Sequence, residues 1–316
     1  MVARALFERL PRLTDLVPFV ELADGLPTSV DQVDDRLWVQ RDDRTSTAYG
    51  GNKVRKLEHV LPVAARRGGP VLTAGGTGSH HVVAAAVHAR RLGLEVEAVV
   101  YPQPVTDDVR ATEATLRKLG VRTTRVPNPY LMPAGLAARL AALAPRRPYL
   151  LWPGASTPLG TLGYVSAGLE LAGSGIPEPD DVVVPLGSGG TAVGTATGIA
   201  LGGWRRARVV AVRAADLTVT NLGVLRALEA GTATLLALGG RAPRRARLVV
   251  DGRWLGPGYG APTVEGAEAT ARAREHGLTL EPTYTAKAFA AALDRLGRGE
   301  RVVFVQTYAG ATASDP

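Results

Sequence analysis

Two stretches share one construction: "PVLTAGGTGSHHVVAAAVHARRLG", from residue 70, and "DVVVPLGSGGTAVGTATGIALGG", from residue 181. Each opens on a short apolar run, empties into glycines and continues as a run of small residues. An apolar run of this length, without alternation, suits a strand buried on both faces, and the stretch behind the glycines suits a helix. "LEVEAVVYP" (94–102) reads as the next strand, completing a βαβ unit whose crossover is expected to be right-handed. The pattern returns in "TDDVRATEATLRKLG" (106–120), a helix with Thr106 as N-cap, and in the strand "VRTTRVP" that follows. "ARVVAVRA" (207–214) and the tail segments "PTVEGAEATARAREHG", "LTLEP", "TAKAF" and "RVVFVQT" extend it. The fold class expected is α/β, with mostly parallel sheets flanked by helices on both faces. A proline-rich stretch at 133–158 marks a boundary or crossover, and no internal repeat is visible.

Composition removes whole classes of chemistry. The 316 residues contain no cysteine, so disulfides, thiolate catalysis and cysteine-bound zinc or iron–sulfur are excluded. Glu8 and Asp15 break the short apolar runs at the start, and no segment approaches the roughly 20 apolar residues that span a bilayer, so a cytoplasmic chain without a membrane partner is expected. The net charge of +8 admits a nucleic-acid surface. The arginines are spread as pairs, however, and 5% aromatics leave little for base stacking, so the charge reads as solvated surface and no nucleic acid is expected.

Only four of the 37 basic side chains are lysines (Lys53, Lys56, Lys118 and Lys287), and two of them sit in "YGGNKVRKLEHV". An arginine stays protonated, whereas a desolvated lysine loses its proton and attacks a carbonyl. Asn52 is expected to cap a helix starting at Lys53, whose first-turn position would lower the amine's pKa through the helix dipole. An exposed basic turn would write the same residues. Gly187, Ser188, Gly189, Gly190 and Thr191 stand between a strand and a helix, where glycines and free N–H groups cradle an anion. They match neither the triphosphate nor the dinucleotide fingerprint, so a single phosphate fits, as does a tight turn without ligand. In "TAGGTGSHH", Ser79, His80 and His81 open a helix at the carboxyl edge of a sheet, where a carboxylate would be held; Ser79 alone reads as an N-cap. The two histidines lack the carboxylate partners a metal would need, and none is expected.

Together these segments ask for an aldehyde bearing one phosphate beside a carboxylate pocket, which describes pyridoxal phosphate and an amino acid. "GGNKVRKLEHV", "TAGGTGSHH", "PLGSGGT", "GPGYGAP" and "EPTYTAKAF" resemble, in order, the motifs of the D-cysteine desulfhydrase and 1-aminocyclopropane-1-carboxylate deaminase family. The likeness runs from about residue 49 to 310 and implies a fold type II pyridoxal-phosphate enzyme, commonly a homodimer, acting as a lyase or deaminase on a small amino acid. It implies a larger cofactor domain of residues 1–54 and 166–316 and a smaller inserted one of 55–165, with the site between them. By the same likeness Lys53 holds the cofactor's aldehyde and moves the α-proton, while Lys56 and residues 187–191 hold the phosphate. Ser79, with His80 and His81, lies at the substrate, Tyr259 near it, Tyr284 beside the cofactor ring and Thr307 at the pyridine nitrogen.

The chain departs from the family pattern in places. His80 stands for an asparagine expected at the cofactor's phenolic oxygen, where an imidazole could still donate, and Tyr308 follows Thr307 where the family writes glycine. Thr285 replaces the glutamate of the ring-opening deaminases, and His81 matches the desulfhydrases, so elimination from a β-substituted amino acid such as D-cysteine is favoured over ring opening. A divergent biosynthetic activity, replacing or eliminating a β-substituent on a modified amino acid, is the alternative reading.

Overall fold

The computed structural model describes residues 4–217, 219–241 and 247–310. Two sheets organise them. Strands β1 (Val30–Asp34), β2 (Leu37–Gln40), β7 (Asp181–Leu186), β8 (Arg208–Arg213), β9 (Arg247–Asp251) and β10 (Val302–Val305) form a six-stranded sheet in the order β1-β2-β10-β7-β8-β9. Strands β3 (Val71–Gly76), β4 (Val96–Tyr101), β5 (Arg122–Arg125) and β6 (Tyr149–Leu150) form a second sheet, in the order β5-β4-β3-β6. Every pairing is parallel except the β1–β2 hairpin at the edge of the larger sheet. "LTLEP" carries no strand.

The helices are α1 (Ala5–Arg9), α2 (Leu13–Leu16), α3 (Asn52–Arg67), α4 (His80–Arg90), α5 (Asp107–Lys118), α6 (Met132–Leu143), α7 (Pro158–Ala172), α8 (Gly190–Leu201), α9 (Leu222–Leu238), α10 (Val264–Glu275) and α11 (Thr285–Gly297). Thr106 caps α5 as expected, its hydroxyl accepting from the Val109 amide. The period of two along β7 shows why its run is wholly apolar. Val182 and Val184 pack with Ala192, Ala196 and Ile199 of α8 on one face, while Val183 packs with Phe289 and Ala288 of α11 on the other.

The expected limit between residues 165 and 166 falls inside α7, which is one unbroken helix. Its glycines explain why it serves both sheets: a methyl group at Gly163 would run into the Arg55 carbonyl of α3, and one at Gly168 would come within 2.8 Å of the Gly198 Cα in α8. Helices that touch backbone to backbone bring the starts of α3 and α8 together, and those starts carry the lysines and the glycine loop. Gly163→Ala is expected to cost about 1–3 kcal/mol, the range for overpacking, as a lowered denaturation midpoint; unchanged stability would show that this approach is not as tight as described.

Candidate active site

Three strands of two sheets end at one cleft of about 1100 Å³, counted with its open mouth. β7 delivers the glycine loop, β3 delivers Ser79 and β10 delivers Thr307, all from carboxyl ends, where open α/β sheets place their ligands.

The lysine helix is seated on the end of β10. The Gly51 amide donates to the Asp42 carbonyl at 2.9 Å, and the Asn52 amide to the Thr307 carbonyl at 3.2 Å. Gly51 holds φ +87°, and a Cβ there would lie 2.7 Å from that same Thr307 oxygen, so the turn requires glycine. Gly51, rather than Asn52, is the N-cap residue, and the Asn52 side chain does no capping. It bridges instead: Lys53 Nζ donates to Asn52 Oδ1 at 2.6 Å, and Asn52 Nδ2 donates to Thr191 Oγ1 at 3.0 Å. One side chain thus couples the amine to the glycine loop.

Lys53 opens only onto the cleft, so its own surface is half-buried while the walls keep it from bulk water. Burial holds its pKa down to about 8, against a partly opposing pull from Glu281. Desolvation is the leading cause. Glu281 cannot fix the ammonium, because its oxygens accept from the Thr283, Tyr284 and Thr285 amides at 2.7, 2.8 and 2.7 Å and so start α11.

Lys56 is fully buried. Its amine makes two long contacts, to the Gly154 carbonyl at 3.4 Å and Ser156 Oγ at 3.3 Å, and no carboxylate among the described residues pairs with it. Burial, then the neighbouring Lys53, pushes it well below the usual lysine range. Such a group lacks an anion. The glycine loop lies beside it: Ser156 Oγ is 2.7 Å from Ser188 Oγ and accepts from the Gly190 amide at 3.1 Å. Gly189 has φ +95°, a Cβ at Gly190 would sit 2.7 Å from Ser156 Oγ, and one at Gly187 would touch the Tyr284 ring at 3.0 Å. These positions form a cradle that side chains would fill. Gly190 starts α8 with its amide turned to Ser156, while Gly187, Ser188, Gly189 and Thr191 line the cleft.

Ser79 occupies the N-cap position of α4 without capping it, and its hydroxyl has no partner among the described residues. His81 is buried, donates to Thr73 Oγ1 at 2.9 Å because that hydroxyl is spent on the Leu151 carbonyl, and is held neutral, with a pKa of about 3, by burial and then by Lys53 and Lys56. His80 differs from expectation. Nδ1 lies 2.8 Å from the Tyr49 hydroxyl and Nε2 lies 2.8 Å from Asp108 Oδ2, so neither nitrogen is spare for a cofactor oxygen. Tyr259 and Tyr284 meet edge to face at 5.9 Å, and burial raises both phenols above their usual range, so they stay protonated. Thr307 lines the cleft with a hydroxyl free of protein partners among the described residues.

Sequence reasoning missed Asn52 as a bridge, Ser156 as the hub of the anion cradle, Tyr49 and Asp108. It also missed Lys287, which donates to the carbonyls of Leu255 at 2.8 Å and Gly258 at 3.1 Å and so fixes the loop carrying Tyr259. Lys287 alone carried a signal, as one of four lysines.

The donor set fits pyridoxal phosphate: an amine that loses its proton near neutrality, a second buried amine with no carboxylate partner among the described residues beside a glycine cradle, and a free hydroxyl at a helix start. The chain belongs to the pyridoxal-phosphate-dependent enzymes, whose family model, "Pyridoxal-phosphate dependent enzyme", matches residues 14–307. Pyridoxal phosphate is its cofactor, and the fold is that of fold type II. Among individual proteins it is 34% identical over 297 residues to a D-cysteine desulfhydrase of Klebsiella pneumoniae (strain 342), covering 90% of this chain and 88% of that one. A crystal structure of an ACC deaminase homologue superposes with a TM-score of 0.81 at 28% identity, over 99% of this chain and 96% of that one. Threonine deaminase isoform 2 of Solanum lycopersicum, in its processed form, shares the fold with a TM-score of 0.62 at 20% identity, over 98% and 85% of the two chains. Among the described residues no helix is long and apolar enough to cross a membrane, and no cluster of three potential ligands could hold a metal ion.

With a pKa of about 8, about one Lys53 amine in ten is unprotonated at pH 7, against about one in three thousand for an ordinary lysine. The rate at which the apoprotein takes up pyridoxal phosphate, followed by absorbance, is expected to rise with pH and level off above about pH 8.5. A rate still climbing beyond pH 9.5 would contradict the assignment.

Proposed function

We propose that this enzyme is a lyase that eliminates the β-substituent of a small amino acid, in the manner of D-cysteine desulfhydrase: D-cysteine and water give pyruvate, sulfide and ammonia. The observation that carries the reading is the buried Lys53 amine, poised to lose its proton and coupled through Asn52 to the glycine loop. The 34% identity to a desulfhydrase supports the substrate class.

In this reading Lys53 holds the cofactor's aldehyde carbon, and Lys56, Ser188, Thr191 and the amides of the 187–191 turn hold its phosphate. Thr307 and Tyr284, which line the cleft, would hold the pyridine nitrogen and the ring face respectively. Pyridoxal phosphate, when bound, supplies an electron sink for the pair left on Cα when its proton departs. Lys53, with its proton held loosely by burial, would be the base that takes that α-proton. The free Ser79 hydroxyl and the first amides of α4 bind the substrate carboxylate. His81, neutral and tied to Thr73 through Nε2, has no charge to offer, and its buried Nδ1 is an acceptor without a partner among the described residues. Tyr259 is the hydroxyl beside the departing β-substituent, held there by Lys287. The same likeness supports a homodimer in the cytoplasm, with a small amino acid as partner and neither nucleic acid nor membrane.

The altered wall at His80 and Tyr308 favours a second reading, β-replacement or elimination on a modified amino acid. Incubation of the holoenzyme with D- and L-amino acids bearing β-thiol, β-chloro and β-hydroxyl groups separates the two. Pyruvate from D-cysteine, lost about 10³-fold or more in Lys53→Ala, is expected. Pyruvate from none of them supports the second reading, and undiminished activity in Lys53→Ala removes both.

A further inference from the structure

Five of the eight tyrosines line the cleft: Tyr49, Tyr101, Tyr259, Tyr284 and Tyr308. Three of them stand in a row. Tyr101 ends β4 of the four-stranded sheet, Tyr259 lies between β9 and α10, and Tyr284 precedes α11. The Tyr101 and Tyr259 ring centres are 6.2 Å apart with the planes at 54°, and those of Tyr259 and Tyr284 are 5.9 Å apart at 71°. Strand register explains how the middle ring fits. Tyr101 lies opposite Gly76 across β4 and β3, and a Cβ at Gly76 would come within 3.3 Å of Tyr259 Cε1. The Tyr259 ring thus takes the space that a side chain on Gly76 would fill, beside Tyr101.

The hydroxyls are hydrogen-bonded in the same order, Tyr101 with Tyr259 and Tyr259 with Tyr284. Burial raises all three phenols above their usual range, so each keeps one proton to donate. Three protons serve two links, and one is left over. Tyr101 is buried, whereas Tyr259 and Tyr284 are half-buried and face the cleft. An uncommitted proton is least costly at the open end of the row, so Tyr101 donates to Tyr259 and Tyr259 to Tyr284. A phenol that accepts a hydrogen bond gives up its own proton more readily, because that bond strengthens as charge forms on the oxygen. Burial, Tyr284 and Glu281 all oppose a negative oxygen on Tyr259, and the Tyr101 hydroxyl pulls the other way. The remaining charges nearby are Asp216, which acts on Tyr101, and Lys287, whose ammonium is spent on the Leu255 and Gly258 carbonyls.

We propose that Tyr101 is a positioning residue of this site: its hydroxyl holds the Tyr259 oxygen from behind and stabilises the charge that forms there when Tyr259 protonates a departing β-substituent. As the bond from Cβ to the substituent breaks, its electron pair leaves with the substituent, which takes the Tyr259 proton, while the pair left on Cα forms the new bond to Cβ. Tyr259 then recovers a proton from water, and Lys53 returns the α-proton to solvent, which closes the balance. Resting on the proposed function, the consequence is that poor leaving groups depend on Tyr101 and good ones do not. Hydroxide needs the proton most, hydrosulfide less and chloride not at all. Tyr101 acts on the reaction only through Tyr259.

The test uses the holoenzyme with D-serine, D-cysteine and β-chloro-D-alanine, followed as pyruvate. In Tyr101→Phe, which keeps the ring and removes one hydroxyl, kcat is expected to fall about tenfold for D-serine, the loss of one hydrogen bond to a forming charge, less for D-cysteine, and by no more than about twofold for β-chloro-D-alanine. Exchange of the α-proton of D-alanine in deuterium oxide, which calls on Lys53 and not on Tyr259, is expected to keep its rate. An equal fall for every substrate, an unchanged kcat for D-serine or a slowed α-exchange overturns the proposal. With tyrosine labelled at ¹³Cζ and Tyr259 assigned through Tyr259→Phe, the Tyr259 resonance is expected to shift in Tyr101→Phe, and an unshifted one also overturns it. If the enzyme eliminates nothing, the proposed function fails while the ¹³C measurement still decides whether Tyr101 holds Tyr259.

Discussion

A guanidinium buried between the two lysines holds the site in place. Arg55 is almost wholly removed from solvent, and it reaches Asp42 Oδ1 at 2.9 Å, both oxygens of Glu170 at 3.0 and 2.9 Å, and Thr28 Oγ1 at 3.1 Å. The Tyr164 hydroxyl closes the group on the other Asp42 oxygen at 2.5 Å. Burial alone would weaken the charge, and the two carboxylates more than offset it. A buried ion is tolerated only with such partners, so the first turn of α3 has one position available to it. Asp42 also takes the Gly51 amide through its carbonyl, which joins the knot to the turn that aims Lys53. A second knot lies one turn further on. Glu58 accepts from the amides of Leu22 and Ala23 and from Arg4, anchoring the next turn of the same helix.

This anchoring lets the enzyme leave two lysine amines poorly served. Arg55 is given every carboxylate within reach, Glu281 is given to the start of α11, and the lysines receive an amide oxygen and a serine. Lys53 is thereby kept reactive and Lys56 is kept in need of an anion. On the proposed function, the helix is held by residues without a part in the reaction, and the reaction falls to residues that the helix keeps in unfavourable surroundings.

How much of this the sequence discloses depends on the range of the interaction. The strand runs, the glycine turns and the Thr106 cap are written within a few residues, and they reappear where expected. Lys53, Lys56, the 187–191 loop and Ser79 could be named because each sits in a local strand–turn–helix setting, and Thr307 only through the family resemblance. Arg55 could not, as one arginine among many whose partner Glu170 lies 115 positions away. The same holds for His80 and Asp108, 28 apart, and for Tyr308 and Asp108, 200 apart. Ser156 was hidden in a proline-rich stretch that reads as a boundary but forms the floor of the anion cradle. Asn52 reads as a helix cap by residue type, yet Gly51 takes that position because only glycine passes the Thr307 carbonyl. Composition and period report which face of an element is buried; they do not report which distant polar group it meets.

The account rests on the Lys53 amine as the one that joins the cofactor's aldehyde, and four lysines make the question simple to settle. Reduction of the purified holoenzyme with borohydride, followed by proteolysis and mass spectrometry, locates the pyridoxyl group on one peptide. The account predicts that Lys53 carries it and that Lys56 remains unmodified. A pyridoxyl group found on Lys56, Lys118 or Lys287 instead would contradict it.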